Sequence, residues 1–100
     1  MTHTNTPDRN ADFYTNANKG FAMAINGFRI SVQWGPGNYV DREIRNNDYD
    51  APMQHSIWGC DTAEVMIWGR DNISLKWDGG DDVVGWVKSD TVGRLIGCLS

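Results

Sequence analysis

Apolar and polar residues alternate over several short stretches of this chain, and that period of two predicts strands. The clearest case runs from Gly20 to Tyr39, GFAMAINGFRISVQWGPGNY. Asn26-Gly27 is the favoured two-residue type I′ hairpin turn, because both positions need φ > 0 and Asn and Gly tolerate it best. Folding about that turn pairs Ile25 with Phe28, Met23 with Ile30, Phe21 with Val32 and Lys19 with Trp34. All of these but Lys19 are apolar, and directly opposed residues share a face. Ala22, Ala24, Arg29, Ser31 and Gln33 fall on the other face, which is small or polar. A slip of one residue would turn the apolar set to water, so the register is firmly specified. The two strands span about 20–25 and 28–34. Gly35-Pro36-Gly37-Asn38 then fits a type II turn, with Pro presetting φ at the second position and Gly accepting φ > 0 at the third.

Further along, Thr62–Trp68 (TAEVMIW) reads as a third strand with Ala63, Val65 and Ile67 on one face. Gly69–Asn72 reads as a turn. Ile73, Leu75 and Trp77 alternate with Ser74 and Lys76 as a fourth strand, Asp78–Asp82 as another turn, and Val83–Val87 as a fifth strand. Ser89 and Asp90 offer an N-cap. Val92, Leu95, Ile96 and Leu99 recur at helical spacing, which predicts a short amphipathic C-terminal helix weakened by Gly93 and Gly97. Residues 1–18 read as a polar N-terminal arm, tacked down by Phe13 and Tyr14, and 19–100 as a single domain. The expected architecture is α+β: an antiparallel sheet of four to five strands with the helix on one face.

Residues 40–61 lack periodicity apart from a helical turn expected near Asp41–Arg45. So long an irregular connection is unusual in so small a domain, and such loops often carry function.

One hundred residues suffice for one modest core. The formal net charge is −4, and residues 61–82 alone account for it, with six carboxylates against two cations. That balance argues against sequence-independent nucleic-acid binding, and it either serves a basic protein partner or simply gives solubility. The N-terminal residues lack the apolar core of a secretory signal, and no apolar run is long enough to span a bilayer, so a cytosolic location with free thiols is expected.

No catalytic or cofactor motif stands out. Gly35-Pro36-Gly37 follows a strand, but Val40 occupies the third glycine position of a dinucleotide fingerprint. His55 and Cys60 lack an orienting third group. His3, His55, Cys60 and Cys98 lack zinc-ligand spacing. Asp78–Asp82 lacks the acidic alternation of a calcium loop. Trp34 and Trp77 lie on the apolar faces of their strands, so the core claims them ahead of any stacking platform. The expectation is a non-enzyme with no cofactor and no bound metal.

What remains is a contact surface. Tyr39, Asp41, Glu43, Asp48, Tyr49, Asp50 and Trp58 combine aromatic anchors with charge on the irregular segment, accompanied there by Arg45 and His55. Asp78, Asp81 and Asp82 form a second acidic site. These ten aromatic and acidic residues are the candidate partner-binding set.

The run Asn26-Gly27-Phe28-Arg29-Ile30-Ser31-Val32-Gln33-Trp34-Gly35-Pro36-Gly37-Asn38-Tyr39 resembles a family of short bacteriophage and prophage proteins. Thr62-Ala63-Glu64-Val65 and Asp82-Val83-Val84-Gly85-Trp86-Val87 are similar to that family as well, so the likeness spans roughly 19–99. A Cys often follows the Tyr in such proteins, where this chain has Val40. The resemblance implies a phage origin and brings no catalytic residues or cofactor with it. From that origin follows the expected function: a small non-enzymatic protein that binds and inhibits a host protein complex, such as an anti-defence, anti-CRISPR-like inhibitor of a nucleic-acid-binding machine. The alternative is a small-ligand binder that sequesters a nucleotide signal in an aromatic-lined pocket. Clustered Trp with Arg29 and Arg70 near a pocket would favour the alternative.

Overall fold

The computed structural model describes residues 9–16, 19–41 and 58–100. Its frame is one antiparallel sheet of five strands in sequence order: β1 (Phe13–Thr15), β2 (Gly20–Ile25), β3 (Phe28–Gln33), β4 (Thr62–Trp68) and β5 (Val83–Lys88). A helix, α1 (Ser89–Leu99), follows β5 directly.

The hairpin has the register that the apolar pattern demands, with Phe21 opposite Val32, Met23 opposite Ile30 and Ile25 opposite Phe28. Asn26 and Gly27 turn at φ 50° and 83°. Trp34 N donates to Lys19 O at 2.6 Å, extending the pairing one step beyond the strands. The next turn closes with Asn38 N donating to Gly35 O at 3.0 Å, and Gly37 takes φ 85° there.

Registers align Met23, Ile30 and Ile67 across the sheet, and Phe21, Val32 and Val65 beside them. This is the core face. Ile30, Val65 and Ile67 are its fully buried side chains, and each stabilises the fold by about 1.5–3 kcal/mol through burial. Val92, Leu95, Ile96 and Leu99 of α1 pack onto it, as do Trp34 and Trp77. No residue of α1 is fully buried, so the helix lies on the sheet as a half-immersed cover.

Three expectations need correction. Ile73–Trp77 is not a strand: a single bridge joins Ser74 to Trp68, and Ile73 and Leu75 stand exposed. The reason is competition for one edge. β5 already pairs with β4 from Thr62 to Met66, so the returning chain can touch only the last residues of β4 before it must leave. Second, Phe13–Thr15 does more than tack down an arm, since it pairs with Met23, Ala22 and Phe21 as the outermost strand. Third, the N-cap is Lys88, with extended backbone and no capping side chain; Ser89 and Asp90 already belong to the helix. Asp90 still meets the positive end of the helix dipole. The turn expected near Asp41–Arg45 lies outside the described residues beyond Asp41.

Candidate functional site

The opposite, outer face of the sheet carries Arg29, Ser31, Gln33, Glu64 and Met66, while α1 packs on the core face. After the Gly35–Asn38 turn the chain runs back over this face, and the sequence supplies each of its fastenings. Glu64, at a polar position of β4, accepts Tyr39 N at 2.8 Å on Oε2 and Asn38 Nδ2 at 3.2 Å on Oε1. Asn38 Nδ2 also reaches Gln33 Oε1 at 3.4 Å. Asp41 then clamps the chain to the start of β4. Its Oδ1 accepts Asp61 N at 3.0 Å, Thr62 N at 3.0 Å and Thr62 Oγ1 at 2.9 Å, while Asp41 N donates to Thr62 Oγ1 at 2.9 Å. Desolvation pushes the Asp41 carboxyl up, but the hydrogen bonds from Thr62 and Asp61 outweigh it and hold the group below its ordinary value of 3.8.

The β4–β5 ladder breaks where this strap crosses. Its register shifts between Ala63 and Val65, so Gly85 and Trp86 together face Glu64 as a bulge. The bulge turns Trp86 N out of the ladder to donate to Tyr39 O at 2.8 Å. Gly85 is required at this approach, because a Cβ there would lie 2.5 Å from Tyr39 Cβ. Trp86 takes φ 53°, a left-handed conformation that costs a bulky residue about 1–2 kcal/mol.

The result is a stacked aromatic pair. The rings of Tyr39 and Trp86 lie 5.6 Å apart with 29° between their planes. Both remain open to solvent, at 58% and 61% exposure. Asp41, on the strap, and Asp61, just before β4, are both exposed and joined by the bond from Asp61 N to Asp41 Oδ1.

Of the candidate partner-binding residues, the structure thus brings Tyr39 and Asp41 together. Glu43, Asp48, Tyr49 and Asp50 lie outside the described residues. Trp58 is half-buried, and its carbonyl accepts Trp34 Nε1 at 2.9 Å, which ties it to the core. Asp78, Asp81 and Asp82 lie at the far end of β5, where Val83 pairs with Met66, and so do not join Tyr39. Asp78 closes its own turn on Gly80 N at 2.9 Å, Asp82 accepts Ser74 Oγ at 2.9 Å, and Asp81 is exposed. Trp86 is the residue that strand periodicity passed over. A glycine inside a strand pattern signals a bulge or a close backbone approach, and Gly85 is that signal.

Cys60 is half-buried beside Trp34 at a cavity of about 210 Å³, and Cys98 is exposed on α1. Among the described residues no three His, Cys, Asp or Glu side chains gather as a metal site would require, and no helix is long and apolar enough to cross a membrane. Comparison of the chain with protein-family models, curated proteins and solved structures gives no match.

Proposed function

We propose that this protein acts by contact, as a small non-enzymatic phage inhibitor that occupies a basic surface of a host protein complex, with Tyr39 and Trp86 as its anchor. The observation that carries the reading is Trp86 itself. A tryptophan held at φ 53° with more than half its surface in water is strained and exposed at once, and neither helps the fold. Strain of this kind persists where the surroundings over-determine it, and it gathers at functional sites. Aromatic residues are the commonest interface anchors, and a stacked pair enters a partner's pocket with little side-chain freedom left to lose.

Charge supports the choice of partner. The chain carries −4 overall, and exposed Asp41 stands two residues after Tyr39 on the strap and is bonded to the backbone of exposed Asp61. A complementary surface presents arginine or lysine, with arginine able to stack on the exposed rings as well as meet the carboxylates. Nucleic-acid-handling host complexes offer such surfaces. The phage origin rests on the resemblance of the segment 26–39. The test is capture of the partner from host lysate on immobilised protein, followed by calorimetry with the wild type and with Trp86→Gly. The expected result is a protein partner whose affinity falls by about thirtyfold or more with the variant, as for a hot-spot residue, and which weakens as salt rises. Equal affinity for both proteins would refute the reading.

A further inference from the structure

A second concavity lies along β1, apart from the Tyr39–Trp86 pair, and it has the opposite electrostatic character. Its volume is about 1240 Å³, and Arg9, Tyr14, Ser31, Gln33 and Trp68 are among the residues that line it. Among the described residues no carboxylate lines this groove. Arg9 is exposed at its mouth. Arg29 stands beneath one wall, with its guanidinium 5.6 Å from the Tyr14 ring centre and Nη1 donating to Ala11 O at 3.0 Å. That arrangement fixes the Tyr14 ring and adds positive charge behind it.

The floor is built from donors. Ser31 is only 5% exposed, yet it is among the residues that line the groove. Ser31 Oγ accepts Gln33 Nε2 at 3.0 Å, which leaves the hydroxyl proton to donate elsewhere, and no described residue takes it. Gln33, which also lines the groove, has its Oε1 engaged by Asn38 and one amide N–H by Ser31, which leaves its second N–H to donate. A buried hydroxyl with an unused proton needs an acceptor, because leaving it unmade costs more than an average hydrogen bond gains. A donor floor, a free guanidinium and two aromatic walls together select a planar ring that carries an anionic, acceptor-rich group.

We infer that this groove is a binding site for a small nucleotide-class ligand, whose base stacks against Tyr14 and Trp68 and whose phosphate meets Arg9, Ser31 and Gln33. The volume accommodates such a molecule with room to spare, consistent with an open groove. The site is independent of the protein contact proposed above, since none of the lining residues belongs to the Tyr39–Trp86 strap.

The probe is ADP, titrated into the full chain with intrinsic tryptophan fluorescence and calorimetry as readouts. Adenosine, pyrophosphate and an oligothymidine strand serve as comparison arms. ADP is expected to saturate, with adenosine and pyrophosphate each weaker by about tenfold or more because each lacks half of the recognition. Arg9→Glu, an exposed change, is expected to weaken ADP by about tenfold, and Ser31→Ala by about fivefold. Circular dichroism is the folding control for both variants. Three results would overturn the assignment: no saturable response to ADP, ADP affinity unchanged in both variants, or pyrophosphate binding as tightly as ADP. Tighter binding of oligothymidine than of ADP would replace it with a single-strand site.

Discussion

The β2–β3 hairpin and the β4–β5 ladder are both antiparallel pairs of similar length, yet they are built on different terms. In the hairpin every local preference agrees. Asn26-Gly27 supplies the turn, Ile25 to Phe21 face Phe28 to Val32, and the two strands keep one register throughout. In the β4–β5 pair the register breaks at Glu64, a glycine and a tryptophan share the space of one residue, and Trp86 sits in left-handed backbone. The first region is organised for stability. The second spends some stability to lift two aromatic rings into water and hold them together. Agreement across levels marks scaffold, and a local rule broken inside an otherwise regular sheet marks the place where function is to be sought.

The sharpest way to break the comparison is to strike the scaffold side. Ile30→Asp puts an unpaired charge at a position with 0% exposure, between Met23 and Ile67. The expected loss exceeds about 4 kcal/mol, enough to unfold a domain of this size, and a thermal melt by circular dichroism reads it. A cooperative transition near that of the wild type would show that the hairpin is not the core.

Gly85→Ala probes the bulge. The new Cβ must displace the Tyr39 strap, for an expected cost of about 1–3 kcal/mol, or a fall of several degrees in melting temperature. The same substitution at the exposed Gly59, where a Cβ would meet nothing within 4 Å, serves as the control.

How far these two regions are legible from sequence differs for the same physical reason. The hairpin, the strand at Thr62–Trp68 and the helix at 89–99 follow from periodicity and turn residues because each is a local pattern repeated over several residues. The fate of Ile73–Trp77 is not local. Its alternation is that of a strand, but the edge it would join is held by β5, and only the sheet order reveals that. The role of Trp86 is likewise invisible to period-two reasoning, which assigns it to a strand and moves on, although Gly85 beside it is the available clue. Tyr39 was accessible as an exposed aromatic after a turn. Its partner is 47 positions away and is brought to it by a bulge, which no spacing along the chain encodes.

Acid sharpens the account of the strap with a smaller effect. The Asp41 carboxyl titrates below 3.8 in the folded protein, held ionised by Thr62 and Asp61. A carboxyl depressed on folding adds stability above its unfolded value, and that stability is lost as pH falls through the folded one. Asp41→Asn is therefore expected to melt slightly below the wild type at neutral pH, with the gap closing as pH drops below 3.8. A gap that persists unchanged into acid would mean that the charge on Asp41 does not hold the strap.

The smallest expected change in stability accompanies the largest expected change in function. Trp86→Gly relieves left-handed strain of about 1–2 kcal/mol and gives up a stacked, solvent-exposed ring contact of about 0.5–1.5 kcal/mol, so the two nearly cancel. The most direct measurement is a quantitative capture from host lysate on wild-type and Trp86→Gly protein side by side, with melting temperatures recorded for both. The account predicts melting temperatures within a few degrees of one another and a basic host protein recovered on the wild type but depleted about tenfold or more on the variant. Equal recovery of every host protein on two equally stable proteins would contradict it, and the exposed Tyr39–Trp86 pair would then not be the contact.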